Sequence, residues 1–372
     1  MPQFDLVVST NVKRSARVLQ LEGLFELAPS KKSELHWKGS LPLDSREWQI
    51  GMIVGPSGCG KSTLARGVFS DHLINGFEWG ADTSIVDAFP AKMSIKDITG
   101  LLSQVGFSSP PSWLRPFRCL SNGEQFRVTL ARAMAENEDF FVIDEFTSVV
   151  DRTVAQIGSA ALAKSIRQSG RQMIAVGVHY DVIDWLQPDW VFEPHLNRFQ
   201  WRSVQRRPEI ELEIVLCDKT DWAMFKRHHY LDTSLADSAR CYCALYDDRP
   251  VAFTAVMHWP HASASRWREH RTVCLPDFQG VGIGNALSDF IASMYLATGK
   301  PYTSVTSNPA MIQHRARSKN WDMRRGLSRA LKVGRTSSVK MGGTVATSRF
   351  TASFDYVGAI RYDEARRFGV VR

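Results

Sequence analysis

A chain of 372 residues with 44% hydrophobic content is too long for one ordinary core and sufficient for two, and no apolar run approaches the roughly 18–20 residues that span a bilayer. Residues 1–20 are interrupted by Asp5, Lys13, Arg14 and Arg17, unlike a secretory leader, so a cytoplasmic protein without a membrane partner is expected. The net charge of +8 is unevenly placed, with +10 on residues 201–372 and −2 on residues 1–200, so any polyanionic partner is expected on the second half.

Residues 1–200 alternate β-rich and helical stretches, which predicts an α/β domain with a mostly parallel sheet. The apolar IGMIV stretch (Ile50–Val54) is followed by GPSGCGKST, with the spacing G-x-x-x-x-G-K-S, and then by a helical pattern. Glycines at that spacing let backbone N–H groups close around phosphate oxygens, and the helix N-terminus adds its positive end. The candidate cradle is Gly55, Ser57, Gly58, Cys59, Gly60, Lys61, Ser62 and Thr63, with Lys61 reaching the β/γ-phosphates and Ser62 ligating Mg²⁺. Further on, the strand FFVID ends in Asp144-Glu145, a pair suited to hold the Mg²⁺ shell (Asp144) and to orient or deprotonate the attacking water (Glu145).

Leu120 to Met134, LSNGEQFRVTLARAM, resembles the signature sequence of ATP-binding-cassette (ABC) ATPases. Leu120, Ser121 and Gly123 match Leu-Ser-Gly-Gly-Gln, whereas Asn122 and Glu124 replace the first glycine and the glutamine. Other cassette landmarks follow in family order: Gln104 for the Q-loop, Ser148-Val149-Val150-Asp151 for the D-loop and His179 for the switch histidine. The resemblance implies a P-loop ABC-type nucleotide-binding domain that uses ATP and Mg²⁺, with Gln104 and Asp144 joining Ser62 at the metal. It also implies a sandwich in which Ser121 and Gly123 of one subunit meet the γ-phosphate held by the other, so one cassette per chain predicts an ATP-promoted homodimer. Only 16 residues separate Gln104 from Ser121, a shortened helical subdomain that argues against a transporter component. Phe25 and Trp37 are both candidates for stacking the adenine.

The Arg/Pro-rich stretch at 197–208 is the expected boundary, giving domains at 1–200 and 209–372. ELEIVL (211–216) then opens a new β pattern, and residues 239–257 predict two strands about an Asp247-Asp248 turn. Cys59, Cys119, Cys217, Cys241, Cys243 and Cys274 are scattered, and one lies in the phosphate loop, so reduced thiols are expected. Cys241-x-Cys243 with His258 and His261 lacks a second matched pair and predicts no metal site. Lys226-Arg227-His228-His229-Tyr230-Leu231 holds a His-His-Tyr-Leu tract similar to one in Mom-like phage DNA-modification enzymes; its plain alternative is a helix end with an apolar anchor.

Residues 270–296 form a strand, the loop QGVGIG and a helix, again aiming N–H groups and a helix N-terminus at a pyrophosphate. The stretch resembles motif A of the GNAT acetyltransferases, and the likeness extends over about residues 210–360. It implies a C-terminal GNAT α+β domain and acetyl-CoA, or another acyl-CoA, as cofactor. Gln279, Gly280, Val281, Gly282, Ile283 and Gly284 would hold the pyrophosphate, and the strand residues Val273, Cys274 and Leu275 the pantetheine, with Asn308 at the end of the next strand. Where the family often has a tyrosine general acid, this chain offers His314, Arg315 and Ser318, which leaves leaving-group protonation unassigned. His258, Glu269 and His270 are candidate bases for an acceptor amine.

Finally, Arg315, Arg317, Lys319, Arg324, Arg325, Arg329, Lys332, Arg335 and Lys340 are opposed only by Asp322, with Trp321 available to stack a base. This suits a DNA or RNA partner; a solvated basic helix face is the alternative. Three functions stay open: an ATP-gated acyltransferase acting on nucleic acid, an acetyltransferase for a protein or small amine with the cassette as dimerisation switch, and a non-catalytic nucleic-acid clamp.

Overall fold

A computed structural model describes residues 2–11, 13–28, 32–229, 234–260, 265–329 and 350–372, with the side chains of Ser33 and Arg329 left out. Two compact units emerge that do not follow the sequence halves. One comprises Met1–Phe77, Asn137–Val149 and Ile166–Arg206, and the other Glu78–Glu136, Val150–Ser165 and Arg207–Arg372.

In the first unit, β1 (Gln3–Asn11) and β2 (Lys32–Ser40) form an antiparallel pair, with α1 (Ala16–Leu24) between them in sequence. A six-stranded sheet follows, built from β3 (Ile50–Val54), β4 (Leu73–Ile74), β5 (Phe140–Ile143), β6 (Gln172–Gly177), β7 (Trp190–Glu193) and β8 (Arg198–Trp201) in the order β4-β5-β6-β3-β7-β8. Its ladders are parallel except between β7 and β8. Every residue of β3 is buried, as expected of a parallel strand covered on both faces. Helix α2 (Lys61–Phe69) buries Leu64, Ala65 and Phe69 in a core with Ile53, Val142, Ile174 and Trp190. Within the 197–208 stretch, β8 still belongs to this sheet, and the first unit ends at Arg206.

The second unit contains α3 (Ile95–Gln104), α4 (Pro110–Trp113), α5 (Asn122–Glu136), most of α6 (Arg152–Ser169) and a seven-stranded sheet. The sheet is made by β9 (Glu213–Cys217), β10 (Arg240–Tyr246), β11 (Arg249–Trp259), β12 (Arg266–Cys274), β13 (Tyr302–Thr306), β14 (Trp321–Arg329) and β15 (Phe350–Tyr356), in the order β14-β15-β13-β12-β11-β10-β9. Asp247 and Asp248 both take positive φ, 49° and 59°, the backbone that a tight β10–β11 hairpin demands.

Two irregularities shape this sheet. Ala255 pairs with Arg271 and Val256 with Glu269, so His270 is the extra residue of a β-bulge. Strands β12 and β13 pair in parallel only at Trp267–Tyr302 and Arg268–Thr303, and no further pairing joins them as β12 continues to Cys274 and β13 to Thr306. The short α7 (Ile183–Leu186) follows β6 in the first unit, and α8 (Trp222–Phe225) follows β9 in the second, where helix α9 (Ile283–Leu296) packs Ile283, Leu287 and Ile291 into a core with Tyr242, Ala252 and Phe354, and α10 (Pro309–Arg317) follows β13.

The basic run departs from expectation at two residues. Arg315 is fully buried, and Trp321 is 5% exposed with its indole N–H donating to Asp289 Oδ1 at 2.7 Å. Neither is a surface group, so Trp321 offers no ring to a base, and residues 321–329 form a strand instead of continuing a basic helix. Lys332, Arg335, Lys340, Tyr230, Leu231 and His261 lie outside the described residues.

Candidate functional site

The phosphate loop runs from the end of β3 into α2. Gly58 and Gly60 take φ of 78° and 91°, and Gly60 is the left-handed residue that caps α2, so side chains there would strain the backbone. Lys61, 8% exposed, donates from Nζ to the carbonyl of Pro56 at 2.8 Å, which folds the ammonium over its own loop. Ser62 Oγ donates to Asp144 Oδ1 at 3.0 Å, so a hydroxyl and a carboxylate oxygen of suitable hardness for Mg²⁺ stand together. Glu145 leaves β5 with φ of 53°, exposed, and accepts from Ser148 Oγ at 2.7 Å. His179 follows β6 in extended backbone, half-buried.

Of the two aromatic candidates, Trp37 lies on the loop. Its indole N–H donates to the Cys59 carbonyl at 3.0 Å, and its ring occupies the space that a Cβ on Gly60 would need. Phe25 is 64% exposed.

The signature segment explains its own departure from the family pattern. Glu124 N–H donates to Ser121 Oγ at 3.3 Å, and Ser121 N–H donates to Glu124 Oε2 at 3.0 Å. This is a capping box, Ser-x-x-Glu, that satisfies two orphan N–H groups at the start of α5. Ser112 Oγ donates to the other carboxylate oxygen at 2.8 Å. Gln104, at the end of α3, accepts from Ser165 Oγ at 3.0 Å.

The second glycine loop precedes α9. Gly282 caps that helix in left-handed backbone with φ of 99°, is exposed, and has no atom within 4 Å of a would-be Cβ. The first-turn N–H groups of this 14-residue helix have no acceptor within the helix, which suits an anionic pyrophosphate, although the N–H of Gly284 bonds Cys274. Gly280 differs. Its missing Cβ makes room for Gly106 Cα at 2.8 Å and Ala161 Cβ at 2.7 Å. Gln279 donates from Nε2 to the Cys274 carbonyl at 2.8 Å and to Ser109 Oγ at 3.2 Å, while its Oε1 accepts from Ser108 N–H at 2.6 Å.

Around the parting strands, the chemistry-bearing residues fall into distinct places. Val273 is buried, burial pushes the Cys274 thiol up to about 12, and Leu275 N–H already donates to Val251 O at 2.9 Å. Asn308 caps α10 by accepting from Met311 N–H at 3.2 Å. His258 is exposed, edge-on to Trp267 at 5.4 Å. His270, set out by the bulge, accepts at Nε2 from Ala236 N–H at 3.1 Å.

Glu269 departs from its expected role as a base. Its carboxylate is buried, accepts from Thr272 and Ser288 hydroxyls at 2.7 Å each and from Ser304, and pairs with Arg315 at 2.9 Å. Burial raises its pKa, but the Arg315 guanidinium and the three hydroxyls outweigh that and hold the group below the ordinary carboxylate value. A carboxylate so charged, so fully bonded and so shielded does not collect a proton from an incoming amine. It ties β12, β13, α9 and α10 together where the strands begin to part. Arg315 is likewise spent as the candidate proton donor, its guanidinium lying 4.2 Å over the Trp321 ring. His314 is exposed on α10.

Sequence reasoning passed over Arg127. It is fully buried on α5, and its guanidinium reaches the loop before α9, donating to Gln279 O at 2.9 Å and Asp277 O at 2.7 Å. Burial pushes its pKa down to about 10, which leaves it protonated at neutral pH.

Among the described residues no group of three or more His, Cys, Asp and Glu side chains is placed to hold a metal, and no helix is long and apolar enough to cross a membrane.

Comparisons with known proteins match both halves. The model of the acetyltransferase (GNAT) family matches residues 182–313. Elongation factor 3A of Saccharomyces cerevisiae is 33% identical over 118 residues, covering 27% of this chain and 11% of the factor, so the chain spans only a small part of that relative. The manganese transport system ATP-binding protein MntB of Bacillus subtilis is 26% identical over 200 residues, covering 43% of this chain and 77% of MntB. The solved structure of CbiO1 from Clostridium perfringens, part of an ABC transporter complex, aligns at 18% identity with a TM-score of 0.34, covering 42% of this chain and 77% of that one. The chain thus joins an ABC-type ATPase domain to a GNAT-family domain in one polypeptide.

Proposed function

We propose that this protein is an ATP-hydrolysing cassette, dimerised by ATP, coupled to an acyl-CoA-dependent acyltransferase that modifies an amino group on nucleic acid. The observation that carries the reading is the His270 bulge and the parting of β12 from β13 in the second sheet, together with the exposed Gly282 that caps the N-terminus of α9. A thioester arm needs such a slot, and its pyrophosphate needs such a helix end. The functional division into residues 1–200 and 209–372 belongs to this proposal, as does a cytoplasmic location.

In the cassette, Gly55, Ser57, Gly58, Cys59, Gly60, Lys61, Ser62 and Thr63 would hold the ATP phosphates, and Ser62 and Asp144 the Mg²⁺. Bound ATP supplies the phosphoanhydride. Glu145 orients and deprotonates water, His179 contacts the γ-phosphate, and Ser121 and Gly123 engage the ATP of the partner subunit. Trp37 stacks the adenine.

In the transferase, Gly282, Ile283 and Gly284 would bind the pyrophosphate through backbone N–H groups, with Gln279, Gly280 and Val281 shaping the loop. Val273, Cys274 and Leu275 line the arm, and Asn308 closes the end of β13. Bound acyl-CoA supplies the activated acyl group. His258 stands as the exposed proton acceptor for an amine, and His270 becomes one only by giving up the bond its Nε2 accepts from Ala236 N–H. The exposed Arg317, Lys319, Arg324 and Arg325 supply the cationic surface that a phosphate backbone recognises.

A second reading, transfer to a protein or small amine, gains from the burial of Trp321 and Arg315, which removes a ring and a charge from that surface. The test is binding of single- and double-stranded DNA and RNA as a function of salt, with and without ATP–Mg²⁺. Affinity falling steeply with salt supports a nucleic-acid substrate, and affinity indifferent to salt contradicts it.

A further inference from the structure

Arg127 lies on α5 six residues beyond Ser121, and its guanidinium donates to four main-chain carbonyls: Val105 at 3.3 Å, Gly106 at 3.2 Å, Gln279 at 2.9 Å and Asp277 at 2.7 Å. The first two immediately follow Gln104, and the other two belong to the loop before α9. A guanidinium without water is tolerated where carbonyls take up its N–H groups; here they take up those of both terminal nitrogens, with Nε alone left without a partner among the described residues, so the arginine and both segments fix one another.

Other contacts tighten the same junction. Gln279 bonds Ser108 N–H and Ser109 Oγ through its amide, and Asn308 Nδ2 donates to Ser108 O at 3.4 Å. Gly106 and Gly280 approach so closely that a Cβ on Gly280 would stand 2.8 Å from Gly106 Cα, and a Cβ on Gly123 would stand 2.6 Å from Asp277 Oδ1. A displacement of either the segment after Gln104 or the start of α5 therefore moves the carbonyls of residues 277 and 279, which precede the α9 N-terminus. Close-packed contacts of this kind shift between discrete arrangements and do not deform smoothly.

We infer that Arg127 is a positioning residue for the acyl-CoA loop, supplied by the cassette's signature helix, and that through it nucleotide engagement at the signature sets acyl-CoA affinity. The inference rests on the proposed assignment of the two ligands. Coupling of binding free energies is reciprocal, so acyl-CoA must alter ATP affinity by the same factor.

The test is equilibrium binding of acetyl-CoA and of ATP–Mg²⁺ to the full chain carrying Glu145→Gln, each ligand titrated with and without the other. Each ligand is expected to change the other's Kd by an equal factor of about 5–150. Arg127→Met is expected to bring that factor to unity and weaken acetyl-CoA binding, and Arg127→Lys to retain part of the coupling. A role confined to stability would lower the unfolding temperature of Arg127→Met and leave the coupling factor intact. Hydrogen exchange of residues 276–285 in the otherwise unmodified chain, with and without ATP–Mg²⁺, needs no Arg127 variant to fold: altered protection is expected. Two independent ligands, or protection that ignores ATP, overturn the inference. Absence of any acetyl-CoA binding defeats the acyltransferase reading instead, and the exchange measurement still decides the role of Arg127.

Discussion

Arg127 on the signature helix donates to the Gln279 carbonyl at 2.9 Å, so a cassette element and the first residue of the second glycine loop share one buried guanidinium. Neither motif foretells the other's presence, because the two residues are 152 positions apart in the chain. The compact unit that includes residues 78–136 together with the second sheet has this arginine among its internal ties.

Replacing Glu145 with glutamine keeps the shape of the β5 exit and removes the proton acceptor. ATP turnover is expected to fall by about 10²–10⁴, the range for loss of a general base. Light scattering with ATP–Mg²⁺ is expected to show more dimer for Glu145→Gln than for the unmodified chain. Unchanged turnover would remove Glu145 from the hydrolytic site.

Trp37→Ala takes a ring off the phosphate loop, where it bonds the Cys59 carbonyl and fills the space beside Gly60. If that ring stacks adenine, the loss is about 1–3 kcal/mol by analogy with other base–aromatic contacts, or one to two orders of magnitude in ATP affinity. Phe25→Ala is expected to leave the affinity unchanged. Fluorescent nucleotide titration separates the two.

The Glu269–Arg315 pair makes a stability prediction with a definite sign. Because Glu269 is held below its ordinary value of 4.5, its contribution is present above that value and is lost as pH falls through the lower folded one. Thermal unfolding of the unmodified chain is therefore expected to weaken toward acid pH. Glu269→Gln leaves Arg315 buried without its counter-charge, at a cost of about 3–5 kcal/mol at neutral pH, and flattens the acid dependence.

Local signals carried much of this fold and missed its cross-connections. The strand Ile50–Val54, the glycines around Lys61 and the helix from Ile283 each declare themselves within a dozen residues, through apolar runs, glycine spacing and helical period. The capping box at Ser121 and Glu124 is written in the sequence as Ser-x-x-Glu, though against the family pattern Glu124 stands out only as a departure. The burial of Arg315 has no local signal. Its partner Glu269 is 46 residues away, reached only because a bulge at His270 and the parting of two strands bring the carboxylate toward α10. Charge counting assigned Arg315 and Trp321 to the surface because it cannot distinguish a solvated cation from one buried against a ring.

Neutralising the exposed pair Arg324 and Arg325 to glutamine is expected to weaken nucleic-acid binding for all sequences alike and to reduce the slope of log affinity against log salt by about 2, one for each lost phosphate contact. Arg324 also pairs with Asp355 at 3.2 Å, so the stability of each variant is checked beside its affinity. A slope that does not change would place the nucleic acid elsewhere or exclude it.

The central claim is best tested by transfer of labelled acetyl from acetyl-CoA into DNA, RNA and protein, with and without ATP–Mg²⁺, followed by mass spectrometry of the digested nucleosides. The predicted result is label in a nucleoside that rises with ATP. Label confined to protein or small amines, whatever the ATP present, would contradict it.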